Sequence, residues 1–263
     1  MTELKNKYGK WALITGASSG IGKSYAYYLA EKGLNLVLVA RRIELLNEIK
    51  NDLTKKNNVD VRVIIADLSS RSGIEKVIID CADFQIGILI NNAGFGKTGI
   101  FTNNSAELIE DMINVNCLAP TLLTNHFVKK MILNRKGAII FLGSVVANLP
   151  VPYMSLYSAT KSFKLALGKT LWYEFRKYNI DVITVNPGST STEFDGLGIK
   201  NNNKFVRKPD QVVNTTFLAL GKKQTVTDGK INKLLFFLSN IFGSTSSIKL
   251  SGNYANKIIE KKS

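Results

Sequence analysis

Residues 11–22 read WALITGASSGIG, and the fold turns on them. An apolar run of five ends at Thr15, and glycines follow at 16, 20 and 22. WALIT has the length and content of a buried strand. SYAYYLAEKG (24–33), just beyond the glycines, reads as a helix stopped by a glycine. Glycines let the chain turn sharply and bring its backbone close to a ligand, and the helix start offers unpaired N–H groups and a positive dipole. Strand, glycine turn and helix in that order suit a pyrophosphate. The spacing is Thr-Gly-x3-Gly-x-Gly, not the commoner Gly-x-Gly-x-x-Gly. A turn made only of convenient small residues would look the same in isolation; its place after the first strand favours binding.

The rhythm continues outward. LNLVLVA (34–40) reads as a second strand, IELLNEIKNDLTKKN (43–57) as a helix and VRVIIAD (61–67) as a third strand. Further strands are expected at 87–94, 137–144 and 181–188, with helix-like stretches between them. Alternation at this spacing means βαβ units with right-handed crossovers and a parallel sheet covered on both faces. The expected fold is α/β: one Rossmann-type, doubly wound domain over residues 1–263. It should carry a substrate loop at about 189–210 and a basic amphipathic C-terminal extension at about 222–263.

Composition narrows the function classes. The 263 residues are 45% apolar and 21% charged, enough for a sizeable core. One histidine, His126, in the helix-like LLTNHFVKKM, makes histidine metal sites and Ser-His-Asp triads improbable and reads as structural. Cys81 and Cys117 match no zinc spacing and read as two buried thiols in a reducing compartment. The first residues lack the apolar segment of a secretory signal, and no apolar run approaches the ~20 residues of a membrane span. A cytoplasmic location is expected, with peripheral membrane contact as an option. The net charge of +15 raises nucleic acid as a partner. The lysines are scattered among asparagines, however, and no nucleic-acid-binding motif accompanies them, so none is expected.

YSATK (157–161) places a tyrosine and a lysine one helical turn apart. YLAEK (28–32) and YEFRK (173–177) have the same spacing, and at most one of the three is catalytic. Only Tyr157 has a strand-ending serine, Ser144, thirteen residues before it. A free tyrosine titrates near 10, and an ammonium one turn away should lower that value toward the working pH.

In order, Thr-Gly-x3-Gly-x-Gly, Asp67, NNAG (91–94), Asn116, Ser144, Tyr157-x3-Lys161 and Pro187-Gly188 resemble the short-chain dehydrogenase/reductase family over about residues 10–195. Each motif is weak alone; seven in order are specific. The resemblance implies an oxidoreductase moving hydride between a nicotinamide and a carbonyl or alcohol. Asn116, Ser144, Tyr157 and Lys161 would be catalytic. Tyr157 would exchange the proton, Ser144 would hold the substrate oxygen, Lys161 would hold the nicotinamide ribose, and Asn116 would anchor a relay water. Gly16, Ser18, Ser19, Gly20, Ile21 and Gly22 would take the pyrophosphate, and Asp67 and Leu68 the adenine. Asn92, Ala93 and Gly94 would line the adenosine-ribose side. Pro187, Gly188 and Thr192 would lie by the nicotinamide, with Thr192 on its carboxamide.

Ala40 stands where an acid would hold the ribose of NAD, and Arg41 and Arg42 follow. Guanidinium forks suit the 2′-phosphate of NADP(H), which is therefore expected ahead of NAD(H), with Arg41 preferred over Arg42. The alternative is that both arginines merely solvate a helix start. A non-catalytic NADPH-binding sensor on the same fold is the second functional reading. Val145, Val146, Leu149, Val151 and Met154 point to a hydrophobic substrate such as a 3-oxoacyl chain or a steroid-like ketone. The resemblance also implies a homodimer or homotetramer. Leu234, Leu235, Phe237, Leu238, Ile241 and Phe242 form an apolar stripe among lysines. It fits either a helix packed on the domain or on a second subunit, which is preferred, or one lying on an anionic membrane.

Overall fold

The computed structural model describes residues 3–193, 206–234 and 244–260. Seven parallel strands form one sheet in the order β3-β2-β1-β4-β5-β6-β7. They are β1 (Trp11–Thr15), β2 (Asn35–Ala40), β3 (Val61–Ile65), β4 (Ile86–Asn91), β5 (Gly137–Leu142), β6 (Ile180–Asn186) and β7 (Thr225–Thr227). The helices are α1 (Glu3–Tyr8), α2 (Gly20–Glu31), α3 (Ile43–Asn57), α4 (Arg71–Asp80), α5 (Ala106–Ile113), α6 (Ala119–Leu133), α7 (Ser155–Arg176), α8 (Pro209–Ala219) and α9 (Ser244–Glu260).

β1, β2, β4, β5 and β6 are buried on both faces and read as largely apolar runs, whereas β3 at the sheet edge exposes Arg62 and Ile65. Successive side chains still sort to opposite sides. Ala12, Ile14, Leu36 and Leu38 pack in one core with Tyr25, Leu29, Leu46 and Val212. Leu13, Val37 and Val39 pack in the other with Ile74, Val77, Leu123 and Phe127. Strand order reverses between β2-β1 and β4, and the carboxyl ends of β1 and β4 therefore diverge there, where ligands bind in such sheets.

The structure adjusts several expectations. β3, β4, β5 and β6 end at Ile65, Asn91, Leu142 and Asn186, two or three residues short of the expected bounds, and residues just beyond each end line the cavity. α2 opens at Gly20, inside the glycine motif. β7 was not foreseen: it lies in the stretch expected as an extension from 222, and it pairs with β6 through Thr184, Val185 and Asn186. Cys81 is buried, but Cys117 is only half-buried. Most of the apolar stripe lies outside the described residues, and Leu234 at its start is exposed. α9 packs on the domain: Ser251 donates to the Pro150 carbonyl at 3.4 Å and the Tyr153 hydroxyl donates to Asn256 at 3.1 Å. Among the described residues no helix is long and apolar enough to cross a membrane.

Candidate active site

A cavity of about 1120 Å³ runs along the carboxyl edge of the sheet. At one end Arg41 and Arg42 follow β2, and Asp67 and Leu68 follow β3. The phosphate loop and Ala93-Gly94 occupy the middle. Ser144, after β5, Tyr157 and Lys161 of α7, and Pro187 and Gly188, after β6, close the other end. Sheet order alone spaces these groups along one groove.

The loop after β1 is held by its neighbours. The Thr15 hydroxyl accepts from the backbone N–H groups of Asn92 at 3.1 Å and Ala93 at 3.0 Å. Asn92 donates in return to the carbonyls of Thr15 at 2.8 Å and Gly16 at 3.0 Å. Gly16 has φ +65°, and a Cβ there would stand 2.9 Å from the Asn92 amide. Gly22 touches no ligand space. It packs against the Gly16 carbonyl and Asn92 so closely that no side chain fits, and thereby sets how near α2 comes to β1 and β4. Ser19 caps α2 without a side-chain hydrogen bond; its hydroxyl instead accepts from Arg42 at 2.8 Å. Ser18 accepts from the same guanidinium nitrogen at 3.0 Å. These residues fit a dinucleotide: Ser18, Ser19 and the start of α2 at Gly20 and Ile21 border the cavity, where the helix N-terminus presents its N–H groups to a phosphate.

At the other end Ser144 leaves β5 and caps the short 3₁₀ turn 145–147, accepting from Val146 N–H at 3.4 Å. The Pro187 carbonyl accepts from Val145 N–H at 3.0 Å, which ties this turn to β6. Tyr157 and Ser144 are hydrogen-bonded. Lys161 Nζ donates to the Leu142 carbonyl at 2.9 Å and stands 5.4 Å from the Tyr157 ring centre. The expected lowering of Tyr157 by Lys161 does not result from this arrangement. Burial pushes Tyr157 up, against a smaller pull down from the Ser144 bond. Burial, with neighbouring Lys164, pushes Lys161 well below the usual lysine range. Desolvation outweighs the pair attraction because both groups are almost fully buried.

Asn116 does not line the cavity. It is fully buried in a π-helical segment, Asn114–Leu118, of the kind that often marks functional sites. Its amide donates to the Phe95 carbonyl at 2.8 Å and to Thr160 at 3.0 Å, and its oxygen accepts from Phe95 N–H at 3.1 Å. The side chain thus ties the strand-end loop to α7. Thr192 stands against Gly20, its methyl 3.0 Å from where a Cβ would be. The remaining expected residues, Ile21 included, line the cavity. The two decoy pairs are spent elsewhere: Tyr28 stacks on Phe217 with ring centres 4.5 Å apart, and Tyr173 is exposed at 76%.

The sequence reading missed Glu193, which pairs with Arg42 at 2.7 Å, and Thr15, whose hydroxyl organises the loop. It also missed Lys164. The signal for Lys164 was available: a third polar residue three positions after Lys161, on the inward face of an amphipathic helix.

The short chain dehydrogenase family profile matches residues 10–201. The chain belongs to that family. It is 29% identical over 232 residues to a 7beta-hydroxysteroid dehydrogenase of Clostridium sardiniense, covering 87% of this chain and 89% of that one. It is 34% identical over 189 residues to the very-long-chain 3-oxoacyl-CoA reductase of Homo sapiens, covering 70% and 61%. The inactive hydroxysteroid dehydrogenase-like protein 1 of Homo sapiens matches at 34% over 193 residues, covering 72% and 58%. The chain therefore spans about three fifths of the length of several curated relatives. A solved 7beta-hydroxysteroid dehydrogenase superposes with a TM-score of 0.90 at 27% identity, covering 95% of this chain and 99% of that one. A short-chain dehydrogenase from Sphingobium yanoikuyae in complex with NADPH superposes with a TM-score of 0.77 at 37% identity, covering 83% and 87%.

Proposed function

We propose that this short-chain dehydrogenase is an NADP(H)-dependent oxidoreductase acting on a hydrophobic ketone, aldehyde or secondary alcohol. The observation that carries the reading is the convergence of Ser144, Tyr157 and Lys161 at the end of the groove that begins at Arg41, Arg42 and the phosphate loop. When bound, the nicotinamide supplies or accepts hydride. Tyr157 gives a proton to the carbonyl oxygen in reduction and takes it back in oxidation, a role worth roughly 10²–10⁴ in rate. Ser144 donates to that oxygen as charge develops on it. Lys161 holds the nicotinamide ribose, and the Asn116 clamp on Phe95 and Thr160 keeps α7 in register with the strand ends. Arg41 takes the 2′-phosphate, since Arg42 is engaged by Ser18, Ser19 and Glu193.

Substrate class follows from the wall above Tyr157. Phe95, Val145, Val146 and Met154 line the cavity there, and Met112 and Val151 pack with them in one apolar cluster. Such a lining accepts a bulky apolar body. The hydroxysteroid and 3-oxoacyl relatives agree with steroid-like or acyl ketones. The inactive relative favours a second reading, a non-catalytic NADPH-binding protein.

The test is fluorescence titration with NADPH and NADH, followed by a carbonyl panel of steroid and 3-oxoacyl ketones. Tight NADPH binding with turnover supports the proposal. Binding without turnover on every member would transfer support to the second reading, and equal affinity for the two cofactors would remove the role given to Arg41.

A further inference from the structure

Lys164 lies one turn beyond Lys161 on α7 and is 0% exposed. Its Nζ donates to the Ala93 carbonyl at 3.3 Å. Lys161 Nζ approaches the next residue, lying 3.4 Å from where a Cβ on Gly94 would stand. The two head groups thus flank one peptide, Ala93-Gly94, which borders the cavity. Among the described residues neither nitrogen is within ion-pair distance of a carboxylate. The titratable groups around them are each other and Tyr157 on α7, and Cys117 on the π-helical segment. The ends of β4 and β5 contribute carbonyls only.

A buried ammonium with no carboxylate partner is costly for a core. An apolar side chain of similar length would fill the same space without that cost. Burial accordingly brings Lys164 down to about 8. Its charge in turn holds Lys161 lower, so the two lose their protons in coupled steps. Perturbed groups of this kind gather at functional sites.

We propose that Lys164 is a positioning residue for the acid–base site: its buried head group, held on the Ala93 carbonyl one turn from Lys161, acts on Lys161 and sets the pH at which that lysine loses the charge it carries beside Tyr157. The inference rests on the oxidoreductase reading above. A cation near an acid favours the acid's deprotonated form. Removing Lys164 should therefore let Lys161 keep its proton to higher pH.

The experiment is the pH profile of kcat/KM for carbonyl reduction in the wild type and in Lys164→Met, with a ketone from the panel that is turned over. The expected result is an alkaline limb displaced upward by about half a pH unit or more. An unmoved limb overturns the proposal, whether kcat/KM is preserved or reduced, because a merely structural lysine would change rate and not the limb. A downward displacement overturns it as well. Should the variant fail to fold, the wild type labelled with ¹³C at lysine Cε is titrated by NMR. Two lysine signals titrating clearly below the usual value of about 10.4 are expected, and a full set of ordinary titrations would overturn this inference alone. Absence of turnover by the wild type on every ketone would overturn the oxidoreductase reading and this inference with it.

Discussion

Glu193 and Arg42 form an ion pair of 2.7 Å that joins the chain after β6 to the chain after β2 across the phosphate loop. Arg42 also donates to Ser18 and Ser19, so its guanidinium is committed to holding this crossing. The bond to Arg42, with a second from Ser19, lowers the Glu193 carboxyl below its ordinary range. Arg41 is 76% exposed in its side chain and, among the described residues, makes only a long 3.9 Å approach to Asp67.

Cofactor preference should therefore follow Arg41. In Arg41→Ala the Kd for NADPH is expected to rise about 10- to 100-fold, the worth of a charged hydrogen bond to phosphate, while NADH changes less than about threefold. Glu193→Gln removes a carboxylate from beside the arginines and should tighten NADPH several-fold. Fluorescence titration reads both. An Arg41→Ala variant that loses both cofactors equally would show that Arg41 shapes the loop instead of reading the phosphate.

Tyr157→Phe keeps the ring in its buried place and removes only the hydroxyl. The expected result is a fall in kcat of roughly 10²–10⁴ with NADPH affinity within about threefold of the wild type. Unchanged turnover would rule out Tyr157 as the proton donor.

Gly22→Ala should damage the loop from a position that never meets the ligand. The added methyl would collide with the Gly16 carbonyl and the Asn92 amide. Overpacking of this sort costs about 1–3 kcal/mol. A lower Tm with NADPH binding weakened together with NADH is expected from thermal melts and titration.

Lys164 makes stability depend on pH in the alkaline range. Folded, it titrates at about 8; unfolded, near 10.4. Between those values the unfolded chain binds more protons, so stability should rise with pH there. Below pH 8 both states are charged and the full burial penalty applies, of order 3 kcal/mol. Lys164→Met should therefore melt higher than the wild type at pH 7, and the gain should fade between about pH 8 and 10.4. A difference in Tm that is flat across that window would mean Lys164 titrates normally.

Some of this protein is legible from short-range pattern alone. The alternating apolar runs fixed a parallel α/β sheet because strands buried on two faces admit little else. The glycine spacing, the strand-ending Ser144 and the Tyr157-x3-Lys161 turn located both ends of the groove, because each motif requires a particular local backbone. β7 escaped because three residues carry too little periodicity; only its pairing with β6 makes it a strand.

Other features depend on which segments meet in space. The sequence places Arg41 ahead of Arg42 for a phosphate, but what engages Arg42 is Glu193, 151 positions away, which only the fold brings to it. The spacing of Tyr157 and Lys161 predicts attraction between them, but the depth at which the fold buries both makes desolvation dominant. Lys164 is one more lysine in a chain of net charge +15 until the packing of α7 against the end of β4 seals it at Ala93. Sequence determined the elements and motifs because these depend on neighbours a few residues away. Tertiary structure decided the charges, because burial and long-range partners set the energy of an ion.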